Sequence, residues 1–173
     1  MRITIAFCTI LSGLAVFAQT NSPIPNRLID YGAFLDGATN VGKLRQERRV
    51  TEDQFIRMAA QPGTVVLDAR SAEKYRMLHL KGAKNLSLPD MTVAELAKVI
   101  PAKDTRVLIY CNNNFVNEQR AFPSKVQAAS LNIYTFNSLH SYGYTNVYEL
   151  GPLIDITKTK LPLEGNQVLE QRR

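Results

Sequence analysis

The residue best placed to do chemistry is Cys111. It follows Val107-Leu108-Ile109-Tyr110, four strand-forming residues, and runs directly into Asn112-Asn113-Asn114. A buried strand that hands a thiol to a turn puts it at the strand's carboxyl end, where open α/β sheets form their binding crevices. The thiolate is the nucleophilic form; a free thiol titrates at about 8.5, and helix amino ends or nests of backbone N–H groups stabilise the anion. Three consecutive asparagines suit such a nest, since asparagine tolerates left-handed backbone angles and its amide binds an oxyanion without carrying charge. Cys111 is therefore the candidate nucleophile, with Asn112, Asn113, Asn114 and Phe115 as candidate substrate-binding residues. Arg120 and Lys125 are the first cations after Cys111 in sequence, and Arg120 would bind an anionic substrate if its segment folds back over Cys111. His79 reads as structural, and His140 as a surface or core residue on a helical face. One cysteine and two distant histidines make no metal-ligand cluster, so neither a metal nor a cofactor is expected.

These residues need elements to hold them. Thr51 and Gln54 form a capping box that opens a helix carrying Phe55, Ile56, Met58 and Ala59, closed by Pro62-Gly63. Residues 64–67 predict a short buried strand that ends at Asp68. Ser71 caps a helix over residues 72–78, with Glu73 in the first turn where the helix dipole favours an acid. Residues 82–86 predict a turn and a brief strand. Thr92 and Glu95 supply a second capping box for a helix whose inner face is Val93, Leu96, Val99 and Ile100, and Pro101 stops it. Residues 105–110 read as the central strand. Val126, Ala129, Ile133, Phe136 and Leu139 recur at helical spacing and predict one or two helices up to Tyr142, with a break near Asn132. Residues 146–150 predict a last strand, and Pro152 opens a turn or short helix over residues 153–157. Strands alternate with helices, which predicts an α/β sandwich around a mostly parallel sheet. The stretch from Asn21 to Gly42, with Pro23, Pro25, Gly32, Gly37 and Gly42, predicts a loop-rich lead-in.

Length and composition fit one domain with a real core. The first residues resemble a secretory signal: Arg2 supplies charge, residues 3–16 an apolar run too short to span a bilayer, and Val16-Phe17-Ala18 a small-residue cleavage site. Cleavage after Ala18 is expected, which discards Cys8 and leaves Cys111 as the single thiol of an exported chain, with no partner for an intramolecular disulfide. The expected compartment is the periplasm or the exterior, without a stable membrane anchor. The expected organisation is 1–18 signal peptide, 19–49 amino-terminal extension, 50–160 globular domain and 161–173 carboxyl-terminal tail. The chain carries 21 Lys+Arg against 15 Asp+Glu, a net charge of +6. Much of the excess is local, in Lys43-Leu44-Arg45-Gln46-Glu47-Arg48-Arg49 and in the Gln171-Arg172-Arg173 tail, and reads as solvated surface rather than a nucleic-acid footprint.

Four blocks together resemble the rhodanese-like family, the sulfurtransferase fold. They are Val65-Val66-Leu67-Asp68-Ala69-Arg70-Ser71; Glu73 and Tyr75 leading to His79-Leu80-Lys81-Gly82-Ala83-Lys84-Asn85-Leu86; Val107 to Cys111; and Gly143-Tyr144-Thr145-Asn146-Val147-Tyr148-Glu149-Leu150. The resemblance implies a three-layer α/β sandwich over residues 50–160. It also implies that Cys111 accepts a sulfane sulfur as a persulfide and passes it to a thiol acceptor. The expected partners are thus a small sulfur donor, such as thiosulfate or polysulfide, and a thiol, with a protein partner left open. It implies further that Asp68 and Arg70 form a buried polar contact supporting the crevice wall.

The departures from the family pattern lie around Cys111. The family's loop is short, contains glycine and often places an arginine five residues after the cysteine; here Val116 stands at that position and the loop has no glycine. Cys111 also precedes Gly143 by 32 residues, a longer interval than the family's, so an insertion separates it from the following helix. Phosphatase chemistry on the related fold needs an arginine six residues after the cysteine to clasp phosphate, and Asn117 stands there. Two readings remain at this stage, a sulfurtransferase working through Cys111 and an inert rhodanese-like binding module that recognises a partner or small anion.

Overall fold

The computed structural model describes residues 24–167, which fall into two units, 24–30 and 31–167. The proposed signal segment, Cys8 and the arginines of the last residues lie outside the described residues. In the first unit Asn26 closes a turn, accepting from the N–H groups of Leu28 and Ile29.

The second unit is built on a five-stranded, all-parallel sheet. Its strands are β1 (Arg49–Val50), β2 (Val65–Asp68), β4 (Lys84–Asn85), β5 (Val107–Tyr110) and β7 (Val147–Leu150), in spatial order β1-β7-β5-β2-β4. Two further pairs flank it: β3 (His79–Leu80) runs antiparallel to β9 (Leu163–Glu164), and β6 (Phe115–Val116) runs parallel to β8 (Ile154–Asp155). The helices are α1 (Tyr31–Glu47), α2 (Glu52–Ala59), α3 (Ala72–Met77), α4 (Val93–Val99) and α5 (Leu131–Ser141).

The period-two alternation of the strands splits the core in two. Val66, Leu108, Tyr110 and Leu150 pack with Phe55 and the α2–α3 side, whereas Val65, Leu67, Val107, Ile109 and Val147 pack with Leu96 and Ile100, with Phe136 and Leu139 of α5, and with Val41 of α1. Strands buried on both faces read as the unbroken apolar runs seen in β2 and β5. The expected three-layer sandwich is the observed one.

The caps follow local chemistry. Thr51 and Gln54 bond reciprocally, as expected. At α4 only half of the second box forms: Thr92 Oγ1 accepts from the Glu95 N–H, while the Glu95 carboxylate turns to Lys98 at 2.5 Å. The stretch expected to hold one or two helices up to Tyr142, with a break near Asn132, holds a 3₁₀ turn, Gln127–Ala129, and α5, separated at Ser130.

Two expectations are overturned. The lead-in is not loop up to Gly42: α1 runs from Tyr31 through Gly32, Gly37 and Gly42. Isolated glycines cost helix propensity of about 1 kcal/mol each, but tertiary packing overrides them. Val41 packs into the α4–α5 core, and Arg45, one turn on, pairs with Glu149. Residues 153–157, expected as a turn or short helix, instead place strand β8 at Ile154–Asp155, which finds β6 as a partner, and only then turn. Packing also continues beyond residue 160, where Leu161 is buried and β9 lies against β3.

Candidate active site

β5 is the middle strand of the five, and Cys111 follows its last residue. By strand alternation Cys111 shares the sheet face of Val107 and Ile109, the side covered by α1 and α5. On the neighbouring strand Glu149 lies opposite Ile109, and Arg49 of β1 lies opposite Glu149. The register thus sets Arg49, Glu149 and the position of Cys111 along one face at the carboxyl ends of three adjacent strands.

A cleft of about 420 Å³ opens there, lined by Cys111, Asn113, Asn114, Ser130 and Asn132 together with Arg45, Arg49 and Glu149. Cys111 is 1% exposed at its floor. Its Sγ lies 3.5 Å from Ser130 Oγ, within reach of a hydroxyl that is free to rotate. The Ser130 break between the 3₁₀ turn and α5 is what brings that hydroxyl to the thiol.

Asn112–Asn114 form a 3₁₀ turn. None of the three has a positive φ; among the described non-glycine residues only Asn117 does, at 67°. The left-handed nest expected of the asparagine run therefore does not form. Their amides hold the chain instead. Asn112 Nδ2 donates to Pro123 O at 2.7 Å, and Asn113 Nδ2 donates to Lys125 O at 2.7 Å while its Oδ1 accepts from the Lys125 N–H. Asn114 Nδ2 donates to Leu150 O at 2.7 Å, and its Oδ1 accepts from the Cys111 N–H at 2.9 Å and from Asn132 Nδ2 at 3.1 Å. Asn112 and Asn113 staple the inserted segment to the end of β5, and Asn114 ties that end to β7 and α5.

Of the proposed substrate-binding residues, Asn113 and Asn114 line the Cys111 cleft. Asn112 faces a second cleft with Arg70, Lys74 and Lys125. Phe115 is fully buried, its ring tilted against Phe122 at 4.6 Å between centroids and edge-on to Tyr110; it is a core residue, because β6 turns it inward. Arg120 sits in an exposed turn outside the cleft, its N–H donating to Glu118 Oε1. The insertion leaves along β8 through Phe115–Val116 and returns to the cleft at Gln127 and Ser130, while Arg120 stays outside it.

Positive charge reaches the cleft from an unexpected direction. Arg45 and Arg49 belong to the basic segment that composition marks as solvated surface. Arg45 donates to Glu149 through Nε at 2.8 Å and Nη2 at 2.7 Å, and Arg49 Nε lies 3.2 Å from the same carboxylate. Glu149 is 2% exposed, and burial raises its pKa against the opposing pull of the two guanidinium groups. The register of β1 on β7 is the signal that would have found this cluster. It requires strand order, which the sequence does not state.

Asp68 and Arg70 do meet, in the buried contact the resemblance implied. Arg70 Nε lies 2.9 Å from Asp68 Oδ1 and Nη2 2.5 Å from Oδ2, while Tyr110 Oη donates to Oδ2 at 2.5 Å. Arg70 also donates to Ala121 O and Leu78 O and stacks over Phe122 at 4.1 Å. It thereby ties the insertion to β2. Burial pulls the Arg70 pKa down, but the hydrogen bond and charge of Asp68 outweigh it and the net shift is upward. Tyr110 is pushed well above its usual range by burial and then by the Asp68 charge, so it donates as a neutral phenol. His79 stacks on Tyr75 at 3.8 Å and bonds Tyr75 O through Nδ1. His140 stacks on Phe136, and burial followed by the Arg48 charge lowers its pKa. Neither histidine lines the Cys111 cleft. Among the described residues no three His, Cys, Asp or Glu cluster as metal ligands, and no helix is long and apolar enough to cross a membrane.

A five-stranded parallel sheet that carries a buried thiol just past its middle strand, with a second buried ion pair behind it, defines a thiol-bearing α/β domain. Residues 51–151 match the family model of the rhodanese-like domain, and the chain belongs to that family. No curated protein matches the chain. The chain is similar to solved structures of low identity. One is the Alr3790 protein from Anabaena sp., at 20% identity and TM-score 0.48, covering 71% of this chain and 97% of that one. Another is a rhodanese with anions from E. coli, at 24% and 0.38, covering 60% and 99%. A third is a thiosulfate sulfurtransferase from Pseudomonas aeruginosa, at 24% and 0.42, covering 60% of this chain and 17% of that one.

Proposed function

We propose that this protein is an exported sulfurtransferase that carries sulfane sulfur as a persulfide on Cys111. The observation that supports the reading is the thiol's position at the end of the middle strand of a rhodanese-like domain, on the floor of a polar cleft. In the proposed cycle the Cys111 thiolate attacks the outer sulfur of a donor R–S–SH. The Sγ–S bond forms, the donor S–S bond breaks, and R–S⁻ leaves, giving Cys111–S–SH. An acceptor thiolate then attacks that outer sulfur, and the Cys111 thiolate departs. With thiosulfate as donor the leaving group is sulfite. Ser130 Oγ, beside Sγ, donates to the sulfur anion.

One observation favours a second reading, an inert rhodanese-like binding module: Cys111 is buried and the neighbouring amides are bonded to their own chain. Intact mass of the wild type and of Cys111→Ser, before and after thiosulfate and polysulfide, separates the two. The expected result is a gain of one sulfur that requires Cys111 and is erased by a thiol. No adduct with either donor selects the binding module. Export predicts a mature chain beginning at Gln19 in the periplasmic or extracellular fraction, read by amino-terminal sequencing; a full-length chain confined to the cytoplasm overturns it.

A further inference from the structure

The wall opposite Cys111 has a chemistry of its own. Glu149 is held between Arg45 and Arg49, yet both arginines keep part of their surface open, with side chains 21% and 42% exposed. Arg49 Nη2 is held on Gly151 O at 2.8 Å, which fixes the guanidinium plane at the cleft edge. The lining therefore holds two cations beside one carboxylate. A compact inorganic dianion gains from the guanidinium groups but is set against Glu149. A molecule carrying both signs meets a partner for each.

Asn132 points the same way. It is 4% exposed, and its Oδ1 has no hydrogen-bond partner among the described residues. Its orientation is fixed by its neighbours. Asn114 Nδ2 is committed to Leu150 O, so Asn114 Oδ1 faces Cys111 and takes the Asn132 Nδ2 donor. Asn132 therefore carries a buried, unpaired acceptor on a residue that lines the cleft, and leaving it so is costly. An N–H donor on a ligand satisfies it; a bare oxyanion does not. The cleft volume also falls in the range of small organic ligands, about 300–1,000 Å³.

The geometry points to Arg45, Arg49, Glu149 and Asn132 as the recognition half of the Cys111 cleft, selecting a small thiol or persulfide with an amino-acid end, a carboxylate and an ammonium, over a compact inorganic anion. This assignment rests on the sulfur-transfer reading of Cys111. The carboxylate meets the open arginine edges, and the ammonium meets Glu149 and Asn132 Oδ1.

The test follows the rate of Cys111 persulfide formation by intact mass with cysteine persulfide, cysteamine persulfide, which lacks the carboxylate, and N-acetylcysteine persulfide, which lacks the ammonium, alongside thiosulfate and polysulfide. Cysteine persulfide is expected to exceed each truncated donor by roughly tenfold or more in kcat/KM, carried by KM, as loss of one charge-assisted contact implies. Glu149→Gln leaves the two arginines without their carboxylate and is expected to reverse the preference, raising KM for cysteine persulfide and lowering it for thiosulfate. Equal use of all three organic donors, or no reversal in a folded Glu149→Gln, overturns the assignment. Because that variant risks the fold, calorimetric binding of unreactive S-methylcysteine to Cys111→Ser gives a second readout: binding that N-acetylation abolishes supports the assignment, and absence of binding overturns it. Polysulfide loading without donor discrimination sinks the recognition site alone, while S-methylcysteine binding with no loading from any donor sinks sulfur transfer alone.

Discussion

At the scale of single residues, Asn114 carries more structure than its neighbours. Its amide joins the end of β5 to the end of β7 and to α5, through Cys111 N, Leu150 O and Asn132 Nδ2. Asn114→Ala strands a buried donor beside Cys111 and a buried acceptor on Leu150, each costing about 1–3 kcal/mol. The expected loss is about 2–6 kcal/mol, read as a lower urea midpoint at unchanged slope. The asparagine run was legible as special, but its role was not. A side-chain amide beside buried carbonyls is satisfied internally before it is free for a ligand, and which carbonyls come near depends on an insertion whose path the local sequence does not encode. Phe115 and Arg120 were misread for the same cause: the direction of the insertion decides which becomes core and which becomes solvent-exposed turn.

At the scale of elements, α1 shows where propensity and packing part company. Three glycines and the nearby prolines argue for loop, and the helix buries none of its residues fully. It persists because Gly37, Val41 and Arg45, spaced by four, share the face toward α5 and β7. No heavy atom lies within 4 Å of a Cβ built on Gly42. Gly42→Ala is therefore expected to stabilise the fold by about 0.4–1 kcal/mol, by restricting the unfolded chain and restoring helix propensity. A thermal melt checks it, and an unchanged or lower midpoint would mean that the helix frays there in solution. The strands behaved differently. β2 and β5 came through the sequence as apolar runs within a residue or two of their observed bounds, because burial on both faces leaves little room for another pattern, and β7 came through as closely despite Glu149.

At the scale of the molecule, the segment after β8 acts as a strap. Glu52 Oε1 accepts from Thr159 Oγ1 at 2.6 Å and from the Lys160 N–H at 2.8 Å, Lys81 N donates to Pro162 O, and β9 closes on β3. Gly165 ends the strap at φ 132°, where a Cβ would lie 2.5 Å from Met77 O. Gly165→Ala must both strain the backbone and push the strap off α3, with an expected cost of about 1–3 kcal/mol in chemical unfolding. Neither the strap nor its glycine was legible, since two-residue strands carry no periodicity and their partners lie far away in sequence. Sheet, helices and thiol were legible because each is a local pattern; the charged wall of the cleft was not, because it exists only once β1 has joined the edge of the sheet.

That edge strand separates kinship from chemistry. The family match begins at residue 51, and the two guanidinium groups facing the thiol come from positions 45 and 49, just upstream of it. A fragment cut at the homology boundary would keep the central sheet and the thiol and lose both arginines that line the cleft, so assays on the trimmed domain would report on a different pocket. Under the proposed sulfur transfer, the two arginines that would help choose the donor lie outside the segment by which the family is recognised.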